Sequence, residues 1–190
     1  MKLLGSTTSP YVRRTRLLLG DADYDFVNLD IYGENRDVLR RNNPALKIPA
    51  LIDGDQEIFD SRVIARYLSE QQKRPPLTWD QENQLTLIDA ANDSAVVLLL
   101  SERSGIDTKS GAMFYELQRE RIMTTLKALS ALLDAGEFEQ WNYPAICLYS
   151  LIDWIDFRNL LDFSDADGLI SWRDRMQNQP HVKATDPRQA

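Results

Sequence analysis

Three dipeptides in this 190-residue chain carry groups that together suit a small thiol compound: Ser9-Pro10, Ile48-Pro49 and Asp60-Ser61. Ser9-Pro10 opens a predicted helix just after an apolar strand, which places a hydroxyl at a helix N-terminus. Ile48-Pro49 opens a second apolar strand, and Asp60-Ser61 opens another helix directly after a short strand. Because each dipeptide stands at an element boundary, we expect backbone, carboxylate and hydroxyl groups to meet around one ligand.

The chemistry that Ser9 suggests is stabilisation of a thiolate. A free thiol has a pKa of about 8.5, so only a few per cent of it is the nucleophilic thiolate at neutral pH. A hydroxyl that donates to a charged acceptor contributes roughly 1.5–3 kcal/mol, enough to lower a pKa by about one to two units. A helix N-terminus adds about 0.3–1 kcal/mol for a nearby anion. Thr7 and Thr8 also carry hydroxyls, and we rank Ser9 first and Thr8 second as the donor.

Each dipeptide also has a purely local explanation. Ser9-Pro10 is a favoured helix cap followed by a favoured first helical residue. Asp60-Ser61 is a common helix start. Only about 5–6% of X-Pro bonds in folded proteins are cis, so Ile48-Pro49 alone predicts no more than a strand start. The presence of all three, in this order, favours a ligand site.

Composition and charge narrow the class of protein. Apolar residues make up 43% and charged residues 27%, as in ordinary globular proteins. The net charge of −7 disfavours a nucleic-acid partner, which needs a basic surface. The single cysteine, Cys147, excludes an internal disulfide and a cysteine-rich metal site, so we expect no metal. No signal sequence or membrane span is predicted, and we expect a cytoplasmic protein without membrane partners.

The order of patterns predicts two domains. Residues 1–72 show a βαβ-α-ββα order, typical of a mixed sheet with helices on both faces. Residues 73–79 form a polar, proline-containing linker, and residues 80–190 show only helical patterns. The fold class is therefore an α/β N-terminal domain followed by an all-α C-terminal domain. The predicted strands are 2–4, 25–29, 50–52 and 57–59, and the predicted helices before the linker are 10–19, 35–41 and 60–70.

This whole-chain pattern resembles the cytosolic glutathione S-transferases, particularly small bacterial members of the serine type. Residues 9–14 are similar to the family's Ser/Cys-Pro-Phe/Tyr-x-x-Arg segment. Residues 43–51 resemble its Asn-Pro-x-x-Lys-Val-Pro-x-Leu stretch, and residues 59–64 resemble its Glu/Asp-Ser-x-x-Ile stretch. The resemblance implies a thioredoxin-like N-terminal domain and a helical C-terminal domain.

The resemblance also implies a glutathione site. A cis bond between Ile48 and Pro49 would turn the backbone groups of Ile48 outward, to pair with the tripeptide as with an added strand. Asp60 would take the ammonium of the γ-glutamyl group and Ser61 its carboxylate. Lys47 would hold the glycyl carboxylate. Asp60 is one methylene shorter than the Glu found in many classes.

With Ser9 as thiolate donor, the resemblance implies a homodimeric glutathione transferase that conjugates glutathione to small hydrophobic electrophiles, a detoxification reaction. A glutathione-dependent reductase or lyase is one alternative, but it needs a cysteine where this chain has Ser9, because it forms a mixed disulfide. The other alternative is a regulatory protein that keeps the fold without catalysis, as the stringent starvation proteins do when they dock on RNA polymerase. The retained dipeptides argue against a discarded ligand site.

Four further expectations concern side chains outside the ligand site. Arg13, Arg14 and Arg16 crowd one helix, a pattern that predicts a solvated face. Arg14 stands at the family's arginine position, which implies a structural role at a domain or subunit interface. Cys147 lies on a nearly all-apolar helix and is predicted to be a buried structural thiol. Asn142 is predicted to cap that helix.

Overall fold

The computed structural model describes residues 1–161 and 167–189. These residues form two compact units. One unit contains Met1–Pro76 together with the segment from Asn178 onward, and the other contains Leu77–Gln177. Each unit is described by itself below.

The first unit is built on a four-stranded mixed sheet, and the predicted βαβ-α-ββα order is confirmed. Its strands are β1 (Lys2–Gly5), β2 (Asp25–Asn28), β3 (Ala50–Asp53) and β4 (Gln56–Phe59). Its helices are α1 (Pro10–Leu19), α2 (Arg36–Asn42) and α3 (Ser61–Gln71). The strand order is β2-β1-β3-β4, with β1 parallel to β2 and β3 antiparallel to both of its neighbours.

Alternation along the strands gives the sheet two apolar faces. Leu3 pairs with Leu51, and both belong to a buried cluster that includes residues of α1 and α3. The next pair along, Leu4 and Ala50, belongs to a second cluster, against which Val38 of α2 packs. Successive side chains of a strand point to opposite faces. The sheet therefore has helices on both faces, as predicted.

The second unit contains four helices among its described residues: α4 (Trp79–Arg103), α5 (Met113–Asp134), α6 (Tyr143–Arg158) and α7 (Asp167–Met176). A capping box formed by Thr78 and Gln81 starts α4. Within the described parts of the chain, no helix is both long and apolar enough to cross a membrane.

Helix α6 is buried along nearly its whole length. Cys147 is 1% exposed, which confirms the prediction of a buried thiol. Asn142 caps the helix, since its Oδ1 accepts a hydrogen bond of 3.2 Å from the Ala145 amide. The helix ends earlier than the predicted residue 161, because Asn159 adopts the left-handed conformation that terminates helices. The last helix was predicted over 165–178, and residues 165 and 166 of that range lie outside the described residues.

The segment from Asn178 onward packs with the first unit. It contains two short 3₁₀ helices, Lys183–Thr185 and Pro187–Gln189, and the first of them contacts α1. The predicted helical domain, residues 80–190, includes this segment, because local patterns carry no information about which unit a terminal segment packs on. Its contacts with α1 come from residues more than 160 positions apart in the chain.

Candidate functional site

Strand register brings the three dipeptide segments to one end of the sheet. Leu4, next to last in β1, pairs with Ala50, the first residue of β3. Ala50 also pairs with Phe59, the last residue of β4. The chain therefore leaves β1 toward Ser9, enters β3 from Ile48-Pro49 and leaves β4 into Asp60-Ser61 at the same sheet end. A register slip of one residue would turn these side chains to the wrong face.

Ser9 is the N-cap of α1. Its Oγ accepts a hydrogen bond of 3.3 Å from the Val12 amide. Among the described residues, no group accepts the Ser9 hydroxyl proton, so the same oxygen can cap the helix and still donate to a ligand. The alternative donor, Thr8, lies with its Oγ1 3.3 Å from Ser6 Oγ, and one of these two hydroxyls donates to the other.

Two asparagines that the sequence analysis did not single out hold the loops on either side of the site. Asn28, at the end of β2, accepts a hydrogen bond of 3.1 Å from the Thr7 amide through Oδ1. Asn43 is 1% exposed; its Nδ2 donates to the Lys47 carbonyl at 2.7 Å and its Oδ1 accepts from the Ala45 amide at 2.9 Å. The available signal for Asn43 was its place before a proline, where Asn commonly forms such turns.

The bond between Ile48 and Pro49 is cis, as the resemblance implied. Pro49 is buried and Ile48 half-buried against the core of the first unit. Leu46, just before, has a φ of 55°, so the chain turns sharply on its way into β3. Lys47 is exposed, and within residues 1–161 and 167–189 its side chain makes no hydrogen bond or ion pair. Its ammonium is thus available to a ligand.

Asp60 connects β4 to α3 in an unusual backbone conformation, with φ 70° and ψ 134°. Non-glycine residues rarely adopt such angles, which cost about 1–3 kcal/mol and cluster at functional sites. Its Oδ1 accepts hydrogen bonds from the amides of Arg62 at 2.8 Å and Val63 at 3.4 Å, so Asp60 is the N-cap of α3. The side chain is exposed, and no described group donates to Oδ2. One carboxylate oxygen therefore caps the helix while the other faces outward.

Ser61 is buried beneath Asp60, at 1% exposure, and is tied to α1 by an arginine. The Arg14 guanidinium donates to Ser61 Oγ from Nε at 2.9 Å and from Nη2 at 2.6 Å. Arg14 is 2% exposed, and its guanidinium carbon lies 4.8 Å from the centre of the Tyr11 ring. Arg13 is also buried, at 3% exposure. The predicted solvated arginine face is therefore wrong for these two residues, because tertiary partners satisfy their donors.

The electrostatics of this sheet end favour anions. Two helices, α1 and α3, begin here, and a helix N-terminus carries roughly half a positive charge. The buried Arg14 guanidinium adds a full charge beside Ser61. Among the described residues, no group of three His, Cys, Asp or Glu side chains is placed to hold a metal ion. The site can therefore bind a thiolate or a carboxylate with hydroxyls, helix termini and one buried cation.

Comparison with known proteins gives consistent matches. The family model described as glutathione S-transferase, N-terminal domain, matches residues 3–76. Glutathione S-transferase U18 of Arabidopsis thaliana is 26% identical over 214 residues, which span 98% of this chain and 90% of that protein.

Solved structures agree over nearly the whole chain. A glutathione transferase family member from Pseudomonas fluorescens Pf-5, crystallised with bound glutathione, is 26% identical and superposes with a TM-score of 0.82 over 98% of each chain. A structure of that bacterial protein with bound S-(propanoic acid)-glutathione, also 26% identical, gives a TM-score of 0.80 over the same 98% of each chain. The mixed sheet, the helical second unit and these matches together support membership of the glutathione S-transferase family. The family model matches residues 3–76, and the similar proteins match nearly the whole chain.

Proposed function

We propose that this chain is a glutathione transferase that adds the glutathione thiolate to small apolar electrophiles, with the Ser9 hydroxyl donating to the thiolate. The observation that carries the proposal is the meeting of Ser9, Ile48-Pro49 and Asp60-Ser61 at one sheet end. A thiol peptide placed there has a hydroxyl donor for its sulfur and charged groups for its two ends.

Ser9 suits thiolate stabilisation because its hydroxyl proton is not used for folding. One hydroxyl donating to an anion contributes roughly 1.5–3 kcal/mol, and the N-terminus of α1 adds about 0.3–1 kcal/mol. Together these lower a thiol pKa by about one to three units. From a starting value of about 8.5, that ionises a large fraction of bound glutathione at neutral pH. Thr8 is the second candidate: its hydroxyl shares a hydrogen bond with Ser6, and its proton reaches a ligand only when Ser6 is the donor in that pair.

The remaining site residues suit the rest of the tripeptide. Ser61 Oγ accepts hydrogen bonds from Arg14 Nε and Nη2, which occupy its two acceptor positions. In contact with a ligand, that hydroxyl therefore acts as a donor, which suits the γ-glutamyl carboxylate. The outward oxygen of Asp60 takes the γ-glutamyl ammonium. The backbone of Ile48 pairs with the peptide, and Lys47 holds the glycyl carboxylate.

The related proteins support glutathione as the co-substrate. The Pseudomonas protein binds glutathione, and it also binds a glutathione that carries a propanoic acid group on sulfur. A site that accepts a substituent on the sulfur is compatible with conjugation at that atom. A small apolar electrophile as second substrate, a homodimer and a cytoplasmic location complete the proposal.

Two rival functions predict different outcomes in simple assays. A reductase or lyase would turn over a mixed disulfide of glutathione, whereas Ser9 cannot form the protein disulfide that this chemistry needs. A regulatory protein would neither turn over substrate nor require glutathione.

The test is calorimetric titration of the chain with glutathione, followed by conjugation assays with a panel of small aryl and alkyl electrophiles. We expect binding and turnover of at least one electrophile. No binding at millimolar glutathione would contradict the proposal.

A further inference from the structure

The C-terminal segment 178–189, here called the tail, lies against α1 and meets its arginines with backbone and side-chain oxygens. Arg13 Nη2 donates to the Val182 carbonyl at 3.2 Å, and Arg13 Nε lies 3.5 Å from Thr185 Oγ1. On the outer side, Arg16 Nη2 donates to the Ala184 carbonyl at 3.4 Å. Val182, Ala184 and Thr185, in the first 3₁₀ turn and its flank, therefore face α1.

The tail is a packed segment rather than a frayed end. Val182 is 3% exposed and Thr185 4% exposed. Thr185 Oγ1 donates to the His181 carbonyl at 2.9 Å, which leaves the oxygen's lone pairs to face the Arg13 guanidinium. His181 Nε2 in turn lies 3.4 Å from Asp21 Oδ1, beyond the C-terminal end of α1. The tail thus contacts α1 at its middle and just past its end.

The first turn of α1 connects this contact to Ser9. The Arg13 amide donates to the Ser9 carbonyl at 3.0 Å, one residue after the Val12 amide that Ser9 Oγ caps. Since the Arg13 side chain is nearly fully buried, its guanidinium cannot move far without carrying the first turn with it. Because buried side chains are close-packed, a displacement of the guanidinium is transmitted to the backbone of the first turn.

We propose that the tail clamps α1 and that Arg13 is a positioning residue, which holds the Ser9 hydroxyl at the place where the glutathione thiolate is bound. The inference rests on the proposed function for its effect on catalysis, but the clamp itself does not. Catalytic geometry is sensitive to small errors, and a misplacement of about 1 Å costs on the order of 100-fold in rate. A loosened clamp therefore affects the reaction although neither Arg13 nor the tail touches the reacting atoms.

Three variants and one control separate positioning from other effects. Thr185→Val removes the hydroxyl that faces Arg13 but keeps the Arg13 charge. Arg13→Met removes the guanidinium and keeps an apolar chain of similar reach, and the double variant joins the two changes. Lys183→Met is the matched control, because Lys183 is an exposed cation on the same 3₁₀ turn and has no side-chain contact within the described residues.

The first readout needs no ligand. Hydrogen exchange at the amides of Val12 and Arg13 should quicken by about tenfold in Thr185→Val and Arg13→Met, because the local structure is weakened. In Lys183→Met the exchange should stay unchanged. The second readout is the pH profile of glutathione conjugation together with kcat and KM. We expect kcat to fall by about tenfold and the pKa of bound glutathione to rise, with little change in KM. The double variant should lose no more than Arg13→Met alone, because the Arg13 contact that Thr185→Val breaks is already lost in Arg13→Met.

The outcomes are distinguishable. Unchanged exchange in both Thr185→Val and Arg13→Met overturns the clamp. Faster exchange with an unchanged pH profile and unchanged kcat overturns the positioning role and leaves the contact merely structural. An altered pH profile in Arg13→Met without faster exchange at Val12 and Arg13 contradicts the positioning role in favour of a direct effect of the arginine charge. Failure of the wild-type chain to bind glutathione overturns the proposed function, whereas the exchange rates still decide the clamp.

Discussion

Arg14 and Ser61, 47 residues apart in the chain, are joined by two hydrogen bonds in the interior of the first unit. The contact ties the middle of α1 to the first residue of α3, so that one arginine links the two helices whose N-termini open at the proposed site. Because the guanidinium fork presents two donors to one oxygen, it fixes the Ser61 hydroxyl in position and direction.

We expect Arg14→Met to weaken both folding and glutathione binding. The free energy of unfolding should fall by about 1.5–3 kcal/mol, since the buried Ser61 hydroxyl loses two hydrogen bonds from a charged donor. KM for glutathione should rise, because Ser61 is no longer oriented toward the carboxylate. Urea unfolding measures the change in stability, with the slope of the unfolding free energy against urea concentration expected to stay as in the wild type. Steady-state kinetics measure the change in KM.

The control for Arg14 is Arg66→Met, on α3. Arg66 pairs with Glu70 one turn on, and 83% of its side chain is exposed. Exposed pairs of this kind contribute about 0.3–0.5 kcal/mol. If Arg66→Met and Arg14→Met lower the free energy of unfolding equally, the contact between Arg14 and Ser61 contributes no more to stability than an exposed ion pair.

Asp60→Asn separates the two roles of Asp60. Asn caps helices about as well as Asp and tolerates positive φ, so the stability should change by less than about 0.5 kcal/mol. The carboxylate charge is lost, however, and a charge-assisted hydrogen bond is worth about 1.5–3 kcal/mol. We therefore expect KM for glutathione to rise by about 10- to 100-fold while kcat changes little.

The companion variant Asp60→Ala should lose both roles. It removes the cap, at a cost of about 0.5–2 kcal/mol, and places alanine at a φ that it adopts poorly. A thermal melt and the same kinetic assay report on the pair. A wild-type KM in Asp60→Asn would show that the Asp60 carboxylate does not contact glutathione.

The stability of the first unit depends on pH in the alkaline range through Tyr67. Its hydroxyl donates to Asp53 Oδ2 at 2.8 Å, between α3 and β3. This hydrogen bond, with burial and the Asp53 charge, raises the pKa of Tyr67 above its usual value. A raised pKa in the folded state means that the contribution to stability is complete below the unfolded pKa of about 10 and is lost as the pH rises through the folded pKa.

The melting temperature of the wild type should therefore fall more steeply above pH 10 than that of Tyr67→Phe. Below pH 9 the two curves should run parallel, with Tyr67→Phe lower. Thermal melts at closely spaced pH values from 8 to 11 test this. If the melting temperatures of the two proteins fall with identical slopes above pH 10, the Tyr67 hydrogen bond does not contribute to stability.

The sequence predicted the strands and helices of residues 1–76 to within two residues, because alternation and helical periodicity are strong over 2–71. The burial of Arg13 and Arg14 could not be predicted in that way. On pattern alone, charged residues on one helix indicate a solvated face, and only partners 47 and 169 residues away reverse that. The positive φ of Asp60 was likewise hidden, since Asp-Ser reads as an ordinary helix start.

The residues that hold the loops were harder to predict than those proposed to touch the ligand. Asn28 and Asn43 act through short hydrogen bonds to backbone groups. Such contacts depend on register and loop shape, which no single-residue pattern reports. The three dipeptides stood out because their residue types suit a ligand as well as an element boundary.

The central claim is that Ser9 stabilises the thiolate, and the pKa of bound glutathione tests it most directly. The measurement is the ultraviolet absorbance of the thiolate at saturating glutathione between pH 5 and 10, in wild type, Ser9→Ala and Thr8→Val. We predict that the wild type and Thr8→Val lower the thiol pKa by about one to three units from its free value. Ser9→Ala should return the pKa close to that of free glutathione while it still binds the tripeptide. A lowered pKa that survives in Ser9→Ala and disappears in Thr8→Val would contradict the account.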